Sequence, residues 1–190
     1  MTSILERATR LQREASEVMQ STGLGKALEP LGEIVYTGSY FLDLMVYPDL
    51  DLYLPKMDIE RIFSAAGQVA TDQRVVRVSF ENELHPGLEG GLYLNFRINL
   101  GEWGRPWKVD IWWLDKEMIQ EKMGIMIHFK QLLTPDLREQ ILRYKYSLLN
   151  DLGRTPMYSG YHIYRAFLDE GLRDPGEVTR YLVAKGIKIE

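Results

Sequence analysis

The sequence predicts an α+β fold: a mixed sheet with helices over one face, followed by a helical C-terminal section. Three observations predict it. Strand-like segments gather between residues 33 and 114 instead of alternating with helices along the whole chain. One of them, 92–100, alternates apolar and polar residues over its full length, and 107–114 does so as far as Ile111, the period of a sheet with one greasy face. Beyond residue 132 the pattern carries helix signals only.

Taken in order, residues 3–21 place Ile4, Ala8, Leu11, Ala15 and Met19 on one stripe and predict an amphipathic helix, ended by Gly23 and Gly25. Residues 33–37 read as a short strand running into Gly38, residues 49–54 as a strand with strict alternation, and residues 58–69 as a helix stopped near Gly67. Residues 75–83 and 92–100 flank the turn-rich LHPGLEGG and read as an antiparallel pair. After the strand at 107–114, Asp115 is the expected N-cap of a helix over 116–132. Thr134 and Pro135 open the next helix, whose Leu137, Ile141, Tyr144, Leu148 and Leu152 keep helical spacing up to Gly153. Residues 157–170 form another, closed by Gly171, and Asp174-Pro175-x-Glu177 is a capping box for the last, closed by Gly186. A boundary near residue 132 divides the chain into a strand-bearing domain, 1–132, and a helical section, 133–190, packed on it.

Composition narrows the chemistry. At 190 residues the chain can bury a core without covalent staples. It has no cysteine, hence no disulfide, thiol nucleophile or cysteine-bound zinc. Its three histidines (His85, His128, His162) are scattered, so any metal should be a hard ion on oxygen ligands. The N-terminus lacks the apolar stretch of a signal peptide, and no apolar run reaches the roughly 18–20 residues of a membrane span. The expected location is cytoplasmic. Residues 1–129 hold 13 Lys and Arg against 19 Asp and Glu, and residues 130–190 hold 10 against 8. Neither part has the clustered cations of a nucleic-acid groove.

Strand parity selects the candidate site. Asp49, Asp51 and Tyr53 share one side of their strand, with Leu50, Leu52 and Leu54 on the other. Asp110 shares a side with Trp112 and Leu114, while Val109, Ile111 and Trp113 point to the core. In the hairpin, Leu92, Leu94, Phe96, Ile98 and Leu100 form an apolar row opposite Tyr93, Asn95, Arg97 and Asn99. Val76, Val78 and Phe80 should likewise face in, and Arg77, Ser79 and Glu81 out. If these strands share a sheet, its polar face carries Asp49, Asp51, Asp110, Asn95, Arg97 and Arg77. Three adjacent carboxylates repel one another, and divalent magnesium removes that penalty. Two such ions can clamp a phosphoryl displacement. Gly38-Ser39, at a strand end eleven residues before Asp49, adds a phosphate cradle: glycine permits close backbone approach, and the serine hydroxyl with free amides can hold oxygens.

The stretches TGSYFLDLMVYPDLDLYL (37–54) and KVDIWWLD (108–115) resemble the nucleotidyltransferase superfamily that includes DNA polymerase beta, the poly(A) polymerases and the antibiotic nucleotidyltransferases. The resemblance implies that residues 1–132 are a catalytic domain, that Gly38 and Ser39 bind nucleotide phosphates, and that Asp49 and Asp51 ligate magnesium. Asp110 would be a third ligand and would help deprotonate an acceptor hydroxyl. The implied reaction moves a nucleoside monophosphate from a triphosphate to a hydroxyl; the near-neutral C-terminal section favours a small-molecule or protein acceptor over nucleic acid. Pro48 stands where many small members carry serine, and Tyr40 to Leu44 is more apolar than the corresponding family stretch. A catalytically inactive module that binds nucleotide or a protein partner is the alternative. In this superfamily a later helix often supplies a triphosphate-binding cation, which makes Lys145 a candidate beside the reading of a solvated lysine. Arg97 and Arg77 are candidates for substrate contact or for cross-strand ion pairs. Trp112, Tyr158, Tyr161, Tyr164 and Arg165 could stack a base or simply pack helices. His128 and His162 read as packing or surface residues, Asp115 as a cap and Asp43 as a loop acid.

Overall fold

The computed structural model describes residues 3–82 and 91–189. Most of the turn-rich stretch, with Glu83 and His85, lies outside them. Helix α1 (Ile4–Ser21) opens on a full capping box at Ser3 and Glu6. It is followed by a one-turn α2 (Leu24–Leu28), β1 (Val35–Thr37), a short α3 (Gly38–Phe41), β2 (Asp49–Pro55) and α4 (Ile59–Ala70). Strands β3 (Val75–Asn82), β4 (Leu92–Ile98) and β5 (Trp107–Leu114) complete the sheet. Helices α5 (Lys116–Leu132), α6 (Pro135–Ser147), α7 (Ser159–Leu168) and α8 (Pro175–Ala184) follow. The strand order is β1-β2-β5-β4-β3. Only the β2–β5 pair is parallel, so the sheet is mixed as expected.

Two hydrophobic cores hold the chain. The first lies between the apolar face of the sheet and α1, α2 and α4; Leu50, Leu52, Leu54, Phe96, Val109, Ile111 and Trp113 are fully buried in it. The second lies among α5 to α8 and is built on Phe129, Ile141, Ile163, Phe167 and Leu182. The apolar segment after Ser39 joins them: Met45 enters the first core, and Leu42, Leu44 and Val46 enter the second. Its backbone is gripped by cations. Lys130 donates to the Phe41 carbonyl, Arg138 to that of Asp43, Lys145 to that of Leu44 and Arg7 to that of Val46, at 2.6–3.1 Å. The unusual composition of this segment is thus explained by packing: it anchors the helical section to the sheet.

Several expectations are corrected. Gly25 does not end a helix but lies inside α2, where a Cβ would meet the Met19 carbonyl oxygen at 3.2 Å. Gly67 sits within α4 with open space around it, so nothing there stops the helix. Helix α6 ends at Ser147, short of Gly153, and Leu152 is left exposed in the following loop. Val76 and Val78 are exposed as well. They lie on the edge strand, beside a register shift, whereas Phe80 further along the same strand packs on Phe63 of α4. Asp115 sits at the N-cap position of α5 without a side-chain capping bond; its carboxylate pairs with Lys56 at 2.9 Å. Thr134 and Asp174 cap as expected, accepting from the Leu137 and Glu177 amides. Among the described residues no helix is long and apolar enough to cross a membrane.

Candidate active site

The register sorts the polar face of the sheet into three rows. The middle row runs Thr37, Asp51, Asp110, Asn95, Ser79 across all five strands. On one side lies a charged row, Asp49, Lys108, Arg97, Arg77, and on the other an aromatic one, Tyr53, Trp112, Tyr93, ending at Glu81. Parity therefore does bring Asp49, Asp51 and Asp110 together. They lie where two clefts meet. One, of about 500 Å³, runs from Asp49 and Asp51 past Gly38, Ser39 and Lys145 to Lys122 and Met126 on α5 and Tyr161 on α7. The other, of about 480 Å³, runs from the same two aspartates past Asp110, Lys108, Tyr93, Arg105 and Arg154.

The sequence folds tightly around the acids. Gly38 has φ +58°, and a Cβ there would sit 3.2 Å from the Asp51 Cγ and closer still to its Oδ2. No residue but glycine fits both the conformation and the space. Asp49 and Asp51 are both pushed up from the usual carboxylate range, first by burial and then by neighbouring charge. For Asp51 that charge is Asp49 and Asp110; for Asp49 the Asp110 repulsion is opposed by Lys108, Arg105 and Arg97. Asp110 is fully engaged. Its Oδ1 accepts from the Tyr93 hydroxyl and the Asn95 amide, each at 2.6 Å, and its Oδ2 accepts from Lys108.

Lys108 is the residue that sequence reasoning missed. Its ammonium touches Asp110 and stands 3.9 Å from Asp49 Oδ1. Burial pushes this lysine down, but Asp49, Asp110 and Asp51 outweigh burial and hold it above its ordinary value. The signal was present, because Lys108 shares the parity of Asp110. Arg105, Arg154 and Thr155 were also missed, since they come from irregular loops without a periodic pattern.

The donor set fits a hard divalent ion at Asp49 and Asp51. Asp49 Oδ1 is buried without a hydrogen-bond partner, and burial with mutual repulsion holds both carboxylates above their usual range despite the cations around them. Asp110 does not join them as it stands. Among the described residues no three acidic or histidine side chains are gathered closely enough to hold an ion.

The remaining candidates divide. Lys145 is buried, not solvated, and donates to the Leu44 carbonyl and the Tyr164 hydroxyl at 2.6 and 2.8 Å. Ser39 lies against the same Tyr164 hydroxyl. Trp112 stacks on Tyr93 at 4.4 Å and lines both clefts, as does Tyr158; Tyr161 lines the first. Arg97 and Arg77 face each other across strands and line neither cleft. Arg165 pairs with Asp169, His128 bonds Asp169, and Asp43 pairs with Arg138, all outside the site.

Burial lowers Lys145 from its ordinary value to about 7, despite the pull of Asp49 and Asp51. Between about 7 and the unfolded value of 10.5 the unfolded chain then binds more protons, so this residue's contribution to stability rises with pH across that window. The expected result for Lys145→Met is a stability gap relative to wild type that shifts against the variant by on the order of 3 kcal/mol between pH 6 and 10. Urea melts at several pH values check it; a constant gap would mean that the amine is not desolvated.

No known family model matches the sequence, and no curated protein matches it. Among solved structures, the Cid1 poly(U) polymerase with magnesium and 3′-dATP bound is similar at TM-score 0.51 and 12% identity, covering 73% of this chain and 42% of that one. The same polymerase with MgGTP bound gives 0.50 and 16%, covering 80% and 48%. This chain thus spans less than half the length of either. At such identities the likeness is one of architecture: this chain shares with those solved structures a fold in which a mixed five-stranded sheet is followed by a helical section.

Proposed function

We propose that this chain is a magnesium-dependent nucleotidyltransferase that moves a nucleoside monophosphate from a triphosphate to a hydroxyl and releases pyrophosphate. The observation that carries the reading is the placement of Asp49 and Asp51 at the junction of two clefts, one of which leads to Gly38, Ser39 and Lys145. A triphosphate in the first cleft would meet the Ser39 hydroxyl and the Lys145 ammonium, with Trp112, Tyr158 and Tyr161 as surfaces for the base. Asp110 lines only the second cleft and so belongs to the acceptor side. There the acceptor oxygen bonds to the α-phosphorus while the bond to pyrophosphate breaks, and the hydroxyl proton passes to the Asp110 carboxylate. Magnesium, held by Asp49 and Asp51, supplies charge neutralisation and orientation of the phosphates.

The similar solved structures are of a poly(U) polymerase. The near-neutral charge of residues 130–190 favours a small-molecule or protein hydroxyl here instead. The engagement of Asp110 by Lys108 supports a second reading, a nucleotide-binding module without turnover.

Calorimetry with each of the four ribonucleoside triphosphates, with and without magnesium, tests the first reading, followed by pyrophosphate release over small-molecule, protein and RNA acceptors. Magnesium-dependent binding with pyrophosphate release is the expected outcome. Binding without turnover over the whole panel favours the module, and absence of triphosphate binding overturns both.

A further inference from the structure

A three-carboxylate site on this fold invites two divalent ions, yet a side chain already stands in part of that space. Lys108 lies directly across the strand pair from Asp49 and two residues before Asp110. Its side chain is 24% exposed, and those of Asp49 and Asp110 are 14% and 8% exposed. The ammonium therefore sits inside the acidic cluster, not above it. Its approach is supported from behind. Tyr93 and Asn95 hold Asp110 by the other oxygen, so the carboxylate cannot turn away from the lysine without losing two hydrogen bonds.

Distance points the same way. Asp51 is not in ion-pair contact with Lys108, and Asp49 presents to it only at 3.9 Å, too long for a hydrogen bond. The lysine thus blocks the Asp110 half of the site and leaves the Asp49–Asp51 half open. Lysine suits this role because it is a compact point charge on a flexible stem, unlike the planar guanidinium of arginine.

We propose that Lys108 is a tethered substitute for one of two divalent ions, so that the site takes a single ion on Asp49 and Asp51 while the ammonium stays between Asp49 and Asp110. The inference rests on the nucleotidyltransferase reading above. It goes further by fixing the ion count and giving Lys108 a role as a positioning residue for Asp110.

The test counts ions instead of turnover. Equilibrium dialysis of the whole chain is carried out with Mn2+ and the α,β-methylene triphosphate of the base that calorimetry selects, with Mn2+ and nucleotide bound per chain both measured. Wild type is expected to bind one Mn2+ per bound nucleotide. Lys108→Met is expected to bind two, with the second site at least tenfold tighter than any second site in wild type, and Lys108→Arg to show a weak second site like wild type. Two ions of similar affinity in wild type overturn the proposal without recourse to any variant. So does a single ion in a Lys108→Met chain whose circular dichroism and melting match wild type. If nucleotide and Mn2+ both fail to bind wild type, the nucleotidyltransferase reading falls and this inference with it, an outcome distinct from the other two.

Discussion

Replacing Asp51 by Asn is expected to lower kcat/KM about a thousandfold or more while leaving the protein folded. Asp51 is the carboxylate with least local support: burial, Asp49 and Asp110 all push it up. An acid raised in the folded state contributes stability that is present below its unfolded value and is lost as pH rises through the raised one. Asparagine keeps the shape and removes the repulsion. The variant should therefore melt at or above the wild-type temperature, with the difference growing as pH rises above the usual carboxylate range. On the proposed function the same change deletes an ion ligand, so magnesium-dependent triphosphate binding should fall with turnover. Loss of activity with equal or higher Tm separates chemistry from misfolding. Wild-type binding and turnover in Asp51→Asn would remove this residue from the site.

The second large effect is expected at Gly38. A side chain there meets two penalties at once, a left-handed backbone and the Asp51 carboxylate. The backbone term alone costs roughly 1–2 kcal/mol. With the displaced carboxylate added, Gly38→Ala should lower Tm by about 4–8 °C and weaken magnesium-dependent triphosphate binding at least tenfold. Gly67→Ala is the matching control. That glycine lies inside α4 with nothing within 4 Å of a new Cβ, so alanine should add roughly 0.5–1 kcal/mol and leave binding unchanged. Scanning calorimetry and titration of both variants check the pair. Equal responses at the two glycines would show that the contact with Asp51 is not what Gly38 protects.

The elements legible in the sequence were those whose pattern and packing agree. Residues 49–54 alternate strictly, and 107–114 alternate as far as Ile111, because each strand has a core side and a site side, and the structure keeps the boundaries of both strands to within one residue. Helix α5 was legible to its ends. Where local pattern and tertiary context part, reading failed. Val76 and Val78 are apolar, but they lie beside a register shift on the edge strand, which has a neighbouring strand on one side only. Gly25 signals a stop, yet it serves close packing of α2 on the end of α1. At the site, parity located the acids because charge on a strand face is conspicuous. Lys108 shares that face, two residues before Asp110, but a single lysine there has the same pattern as a solvated one. Arg105, Arg154 and Thr155 reach the clefts from loops whose course only the folded chain determines.

The apolar bridge at residues 41–46 also constrains how the molecule assembles. Its backbone partners are remote in the chain: Lys130 lies 89 residues from Phe41, Arg138 95 from Asp43, and Lys145 101 from Leu44. Such contacts require long loops to close before they repay the entropy spent. During synthesis, Leu42, Leu44 and Val46 therefore emerge well before the helices that cover them. The nascent sheet carries an uncovered greasy segment beside its own acidic cluster until α6 and α7 arrive. Assembly of this molecule is accordingly paced by its last third, and the interval before that third docks is when the chain is most open to aggregation or to chaperone capture.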